Sequence, residues 1–259
     1  MIVTVEIPHN RKKVDMRVFN FGDIRNFLLV KDSRKKLAEF LESFIVTKGL
    51  NSIEKFIALM KLRGISLGDE VTLQGSFTVT IDYLLEDFTE IVDITEVLQY
   101  EGVKITLDYP TRFCCEVNDI YSIITKIEMG DEVIYTSDIS EEEFERLLSS
   151  LPPHIFNDVI GFIKRQSSNL NFYFFKNKNT NTLKETAISF LTVDPLITLY
   201  NSFFYMTESS FREYVFLLSK RIPDVNFLLN CTLTDIEDYF KLYKMEVERE
   251  NDRLKNNNT

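Results

Sequence analysis

Apolar and polar residues alternate at the start of the chain. Val3, Val5 and Ile7 share one face, Pro8-His9-Asn10 turns the chain, and Val14, Met16 and Val18 resume the alternation. Residues 2–19 therefore read as a β-hairpin. The period then lengthens to helical spacing. Asp23 is placed to cap a short helix carrying Ile24, Phe27 and Leu28, and Ser33 one carrying Leu37, Phe40, Leu41, Phe44 and Ile45, stopped by Gly49. Asn51-Ser52-Ile53-Glu54 resembles a capping box for a third helix, with Ile53, Phe56, Ile57 and Met60 inward.

Gly64-Ile65-Ser66-Leu67-Gly68 reads as a loop, after which the period falls to two. Val71, Leu73, Phe77, Val79 and Ile81 form one alternating set, and Val103, Ile105, Leu107 and Tyr109 another that ends at Pro110. The stretch from Leu84 to Tyr100 fits helix or strand equally. Val117, Ile120, Ile123, Ile124 and Ile127 give a helical stripe, and residues 131–135 a short strand.

From residue 139 the pattern is mainly helical. Ser140-Glu141-Glu142-Glu143 is a capping box whose glutamates suit the positive end of the helix dipole, with Phe144, Leu147, Leu148 and Leu151 as the inner stripe. Pro152-Pro153 ends that helix and opens another, burying Ile155, Phe156, Val159, Ile160 and Ile163. Residues 166–183 are polar and asparagine-rich around the strand-like Phe172-Tyr173-Phe174-Phe175, which predicts a loop or hairpin. Pro195 is placed to open a helix reaching Met206, and Thr207 to cap one with Phe211, Tyr214, Val215 and Leu218. Thr234-Asp235-Ile236-Glu237 reads as the capping box of a last helix, which outlasts its stripe of Ile236, Phe240, Tyr243 and Val247 and is almost wholly charged from Glu246 to Lys255. The expected fold class is α+β: an N-terminal β-hairpin and central, mostly antiparallel strands with helices, then a mainly helical C-terminal half. A mixed region 1–138 and a helical region 139–259 are the expected divisions, unless the two form one continuous domain.

Charge refines this picture. The net charge of -10 is uneven, with 13 basic and 9 acidic residues in 1–70, 4 and 19 in 71–160, and 13 and 12 in 161–259. So acidic a middle repels a phosphate backbone, so nucleic acid is not the expected partner. The N-terminal cations Arg11, Lys12, Lys13, Arg34, Lys35 and Lys36 read as solvated loop and helix faces. Cys114, Cys115 and Cys231 lack metal-ligand spacing and read as reduced, packed thiols of a cytosolic protein. The first residues lack the charged and apolar regions of a signal peptide. The least charged window, 187–207, contains Asp194, Pro195 and Asn201, whereas a membrane span needs about 20 predominantly apolar residues; no membrane association is expected.

One string matches a catalytic motif. Gly64-Ile65-Ser66-Leu67-Gly68 fits G-x-S-x-G, but the hydrolase turn follows a strand and leads into a helix, the reverse of the order here. The only histidine after Ser66 is His154. Two histidines in all, His9 and His154, give no basis for a histidine-built metal site, and no phosphate-binding or dinucleotide fingerprint occurs. The expectation is no catalytic residue, no cofactor and no metal, with a serine hydrolase using Ser66 as the enzymatic alternative. The aromatic runs 172–175 and Phe203-Phe204-Tyr205 read as core, or, if exposed, as a protein-binding patch.

The order of several short motifs then becomes informative: Ile7-Pro8-His9, Val14 to Phe19, Leu28 to Ser33, Leu62 to Glu70, Leu107 to Thr111, and Leu151 to Phe156. In that order they resemble the baseplate hub assembly family of T-even-type contractile-tailed bacteriophages, which includes a hub subunit and a hub assembly chaperone. The likeness extends over roughly residues 2–220. It implies a late viral protein, made in the host bacterial cytoplasm, that helps build the tail baseplate hub by contacting other hub proteins and brings no catalytic residues. Some relatives carry a cysteine pair near the polar loop; this chain has Phe174 to Asn179 there, so no zinc-bound loop is implied. The length and the extra C-terminal helix resemble the chaperone more than the structural subunit, which would instead stay in the virion. The segments expected to make contact are the turn with Arg63, Leu67, Asp69 and Glu70, the acidic helix start with Glu141, Glu142 and Glu145, and the last helix with Tyr239, Phe240 and Tyr243.

Overall fold

A computed structural model of the chain describes residues 1–73, 77–85, 95–100, 102–113, 121–169, 171–176, 183–187 and 207–257. The fold is α+β. Strands β1 (Ile2–Glu6) and β2 (Lys13–Arg17) pair antiparallel, with Val5 opposite Val14 and Val3 opposite Met16; Val5, Val14 and Met16 are buried and Val3 is half-buried, as the alternation requires. Helix α1 (Phe21–Val30) starts earlier than expected. Its N-cap is Asn20, and Asp23 occupies the third helical position, returning the bond of a capping box. Asp23 is only 4 % exposed because it also takes two bonds from the Arg17 guanidinium, at 2.8 and 3.1 Å. Helix α2 (Arg34–Glu42) is capped by Ser33, and α3 (Ser52–Leu67) by the Asn51–Glu54 box.

Helix α3 is the axis of the first hydrophobic cluster. Phe56, Ile57, Ala58, Leu59, Met60 and Leu62 are all buried, too many for one stripe, so the helix is covered on several sides. The β1–β2 hairpin and α2 supply part of that cover, and a segment far away in sequence supplies the rest. Helices α7 (Glu208–Ser219), α8 (Val225–Asn230) and α9 (Leu233–Asn257) follow the described strands at 171–187, and Phe211, Leu218, Leu228, Cys231 and Ile236 enter this first cluster. The Phe21 amide donates to the Cys231 carbonyl at 2.9 Å, and Asn20 bridges Thr232.

The middle of the chain builds a second cluster. Before it, strands β3 (Glu70–Leu73) and β4 (Phe77–Thr80) form an antiparallel pair followed by the short helix α4 (Ile81–Leu85), whose Ile81 and Leu85 join the first cluster. Strands β5 (Glu96–Tyr100), β6 (Val103–Leu107), β7 (Ile124–Met129) and β8 (Glu132–Tyr135) then make a four-stranded antiparallel meander. Gly130, at φ 61°, takes the left-handed conformation needed in the tight β7–β8 turn. Helices α5 (Glu141–Ser150) and α6 (Pro153–Asn169) follow, and Leu151, Ile155, Val159 and Phe162 cover Ile105, Leu107, Ile124 and Ile127. A further antiparallel pair, β9 (Asn171–Lys176) and β10 (Leu183–Ala187), comes next, where a loop or hairpin was expected.

Three further expectations are corrected. The stripe of isoleucines read as a helix over 117–127 ends in strand β7; residues 117–120 lie outside the described residues. Ile124 and Ile127, three apart, both face inward because the ladder slips by one residue between Thr106 and Leu107. That irregularity mimics helical spacing, and β-branched side chains suit the strand. Residues 64–67, expected in a loop, form the last turn of α3. The final helix is capped by Thr232, two residues before the expected Thr234, with Asp235 as its reciprocal partner. The expected helix over 195–206, Cys114, Cys115 and Phe203 to Tyr205 lie outside the described residues.

The two clusters are stitched by the segment after β6. Tyr109 and Phe113 belong to the first cluster, two to six residues beyond Leu107 of the second. The Ser52 amide donates to the Pro110 carbonyl at 2.7 Å, and Lys55 Nζ reaches both Glu42 (2.7 Å) and the Thr111 carbonyl (2.6 Å). The division expected near residue 139 falls between β8 and α5, and β7 on one side of it and α5 and α6 on the other contribute to the same cluster.

Candidate protein-contact surfaces

The turn after α3 is held from inside. Arg63 is only 5 % exposed, and its guanidinium donates to the Gly68 carbonyl at 2.9 Å and the Glu70 carbonyl at 3.0 Å. The Asp69 carbonyl accepts from the Ile81 amide, which ties the same turn to α4. A Cβ at Gly64 would lie 2.6 Å from Asp69 Oδ1, so a side chain there would have to displace the Asp69 carboxylate. The surface of this turn is therefore Asp69 and Glu70, with Ile65 beside them at 51 % exposure, while Arg63 works as the internal clamp. Leu67 is the last residue of α3.

Ser66 is also internal. It is 4 % exposed within the helix, and its Oγ accepts from the Phe19 amide at 3.4 Å. Such a serine sits on no exposed strand-to-helix turn, which is the geometry that makes G-x-S-x-G a nucleophile. His154 lies on α6 in the other cluster, its ring 4.9 Å from Tyr100, whose hydroxyl donates to Asp158 at 2.6 Å. Burial, then the Asp158 carboxylate, push the Tyr100 hydroxyl pKa upward, so it serves as a donor. Burial and then the Asp235 charge push the Cys231 thiol upward too. Among the described residues no three His, Cys, Asp or Glu side chains group as metal ligands, and no helix is long and apolar enough to cross a membrane.

The acidic start of α5 is a solvated ridge. Glu142 and Glu145 are exposed; Glu141 is the first residue of the helix. Glu143 alone has a local task, accepting from the Ser140 amide and hydroxyl, which holds its carboxyl below the ordinary range.

Helix α9 divides into a bound root and a projecting tip. Ile236 is buried, Tyr239 and Phe240 are half-buried against the first cluster, and Phe240 stacks on Tyr214. Tyr243, also half-buried, lies 6.4 Å from the Phe240 ring. Arg221, just beyond α7, pairs with Glu246 and Glu250, both at 3.4 Å. Beyond this tie the described residues Asn251 to Leu254 are all exposed, Leu254 by 62 %. Leu254 stands seven residues from Val247 and fourteen from Phe240, so it prolongs the stripe that roots the helix. The predicted aromatic residues therefore anchor the helix, and its free apolar positions are Leu254 and, on the outer side, Leu242 and Met245.

A family model described as "T4 bacteriophage base plate protein" matches residues 1–190. The chain belongs to the T4 bacteriophage base plate protein family. No curated protein and no solved structure matches it. The base plate family match takes in both the clamped turn and the α5 ridge and stops short of α7 to α9. The C-terminal helices of this base plate protein nevertheless complete the core of the matched region, through Phe211, Leu228 and Ile236. Membership implies contact with other base plate proteins, and the residues free to make it are those left on the surface after Arg63, Tyr239 and Phe240 have been used internally.

Proposed function

We propose that this base plate protein is a non-catalytic assembly chaperone for the baseplate hub of the phage tail, made in the host cytoplasm and acting by transient contact with other hub proteins. The observation that carries this reading is the α9 tip. The root of the helix is needed for the fold, yet the helix runs on past its last tie with Leu254 exposed on the same stripe. An amphipathic helix end offered in this way lays its apolar face into a partner's groove. A partner so covered is held in the unassembled, competent state, and release follows when a tighter hub contact competes. The acidic middle of the chain biases encounter toward basic surfaces. The alternative is a structural hub subunit retained in the particle.

The test is isolation of the tagged, full-length protein from infected cells together with an assay of purified mature particles. Hub proteins bound in lysates and no copy in the particles support the chaperone; stoichiometric presence in the particles supports the structural subunit. Failure to bind any tail component, combined with loss of function in Ser66→Ala despite normal folding, would favour the hydrolase alternative.

A further inference from the structure

The first turn of α2 carries the wrong charge for its place. Arg34, Lys35 and Lys36 occupy its first three positions, no acidic residue accompanies them, and the positive end of the helix dipole lies at that end. Twelve residues, 25–36, hold Arg25, Lys31, Arg34, Lys35 and Lys36 against Asp32 alone. Those five cations are exposed, and among the described residues Arg25, Lys31, Lys35 and Lys36 enter no ion pair. Leu29, on α1 four residues from Arg25, is 73 % exposed. A cluster of cations that opposes the helix dipole and has no acidic neighbour in the first turn is explained by something anionic that covers it.

We infer that the α1–α2 corner docks the acidic ridge of a second copy of this chain. The matching surface is on the same molecule: Asp138, in the turn before α5, and Glu142 and Glu145 at the start of α5, three to four residues apart, are all exposed. The corner belongs to the first cluster and the ridge to the second, in the part of the sequence where acidic residues outnumber basic ones 19 to 4. A carboxylate brought from the ridge meets the Lys35 and Lys36 ammonium groups and the helix dipole together, three favourable contributions from one charge. Because corner and ridge are different surfaces, two copies either pair corner to ridge reciprocally about a two-fold axis or add head to tail into a ring or an open chain.

The test is sedimentation velocity of the full-length chain over a concentration series at low and high salt. The proposal expects concentration-dependent association that salt reverses. The double variants Lys35→Glu/Lys36→Glu and Glu142→Lys/Glu145→Lys should each remain monomeric. Their equimolar mixture should associate again, because one supplies acidic faces only and the other basic faces only. A monomeric wild-type chain at every concentration, association of either variant as strong as wild type, or a mixture that stays monomeric overturns it. So does capture of duplex DNA by the corner without self-association.

Discussion

Tyr214 and Phe240 stack with ring centroids 4.3 Å apart and planes 22° from parallel, fastening α9 to α7. Truncating Phe240 to alanine removes the stack and part of the packing around it. Fully buried Phe→Ala changes cost about 3–5 kcal/mol, and Phe240 is only half-buried, so a loss of about 2 kcal/mol is expected. Deleting residues 248–259 removes described side chains that are all exposed and one solvent-exposed ion pair, and should cost less than about 1 kcal/mol. Urea denaturation of the two variants checks the contrast. A deletion starting at 234 would take away buried Ile236 and confound binding with folding, whereas deletion from 248 isolates the tip.

Arg63 shows the same division between holding and contacting. Its two bonds to backbone carbonyls are made by a buried charged donor, so Arg63→Ala should destabilise by about 3 kcal/mol and loosen the turn from Gly68 to Glu70. Glu70→Gln leaves the Glu70 carbonyl in place and should leave the melting temperature within about 2 °C. Thermal unfolding of both variants decides: equal losses would mean that the turn is held by the Glu70 side chain.

Much of the fold could be read from the sequence because it rests on short-range rules. The hairpin alternation, the Asn51 and Ser140 capping boxes and the Thr207 cap depend only on residues within a few positions of one another. What could not be read depends on distant partners. The inward spacing of Ile124 and Ile127 is set by a slip opposite Thr106, and residues 64–67 stay helical although Gly64 stands among them and Gly68 follows. The burial of Arg63 follows from two carbonyls that only the folded turn presents to it. Tyr239 and Phe240 were legible as apolar positions of a helix, but periodicity cannot say whether a stripe meets its own core or a partner. The unfavourable charges at the start of α2 were in plain sight; their meaning emerged once a helix dipole was placed beside them.

Lys55 fastens the segment after β6 to the first cluster. Its ammonium joins Glu42 of α2 to the Thr111 carbonyl, and Glu42 also accepts from the Phe113 amide at 3.4 Å. Lys55→Met keeps the stem and removes the charge, leaving Glu42 partly buried without its counterion, and should cost about 2 kcal/mol. Hydrogen exchange should speed up at Phe113 while the β6–β7 ladder stays protected. Uniform loss of protection throughout the chain would show instead that the clusters unfold as one unit.

Glu143 gives the fold an acid-sensitive cap. The Ser140 amide, then the Ser140 hydroxyl, hold its carboxyl below the ordinary range, so the carboxylate form is favoured in the folded chain. Its contribution is complete above the ordinary carboxylate value of about 4.3 and is lost as pH falls through the lowered folded value. The stability difference between wild type and Glu143→Gln should therefore be constant near neutral pH and shrink in acid. A difference that grows on acidification would reverse the sign and remove Glu143 as a stabilising cap.

The charges on α2 provide a prediction that separates surface function from fold stability. Lysines at the second and third positions of a helix oppose the dipole, and each reversal to glutamate should recover about 0.3–1 kcal/mol at low ionic strength. Lys35→Glu/Lys36→Glu should thus raise the melting temperature of the monomer while abolishing salt-dependent association. A residue pair kept for stability behaves in the opposite way, losing both together. The gain should fade as salt screens the dipole, since the Debye length is only about 10 Å at 0.1 M. Thermal unfolding at two ionic strengths, below the concentration at which wild type associates, measures this directly. An unchanged or lowered melting temperature at low salt would mean that Lys35 and Lys36 are not in conflict with their helix, and the reason for expecting an anionic partner there would be gone.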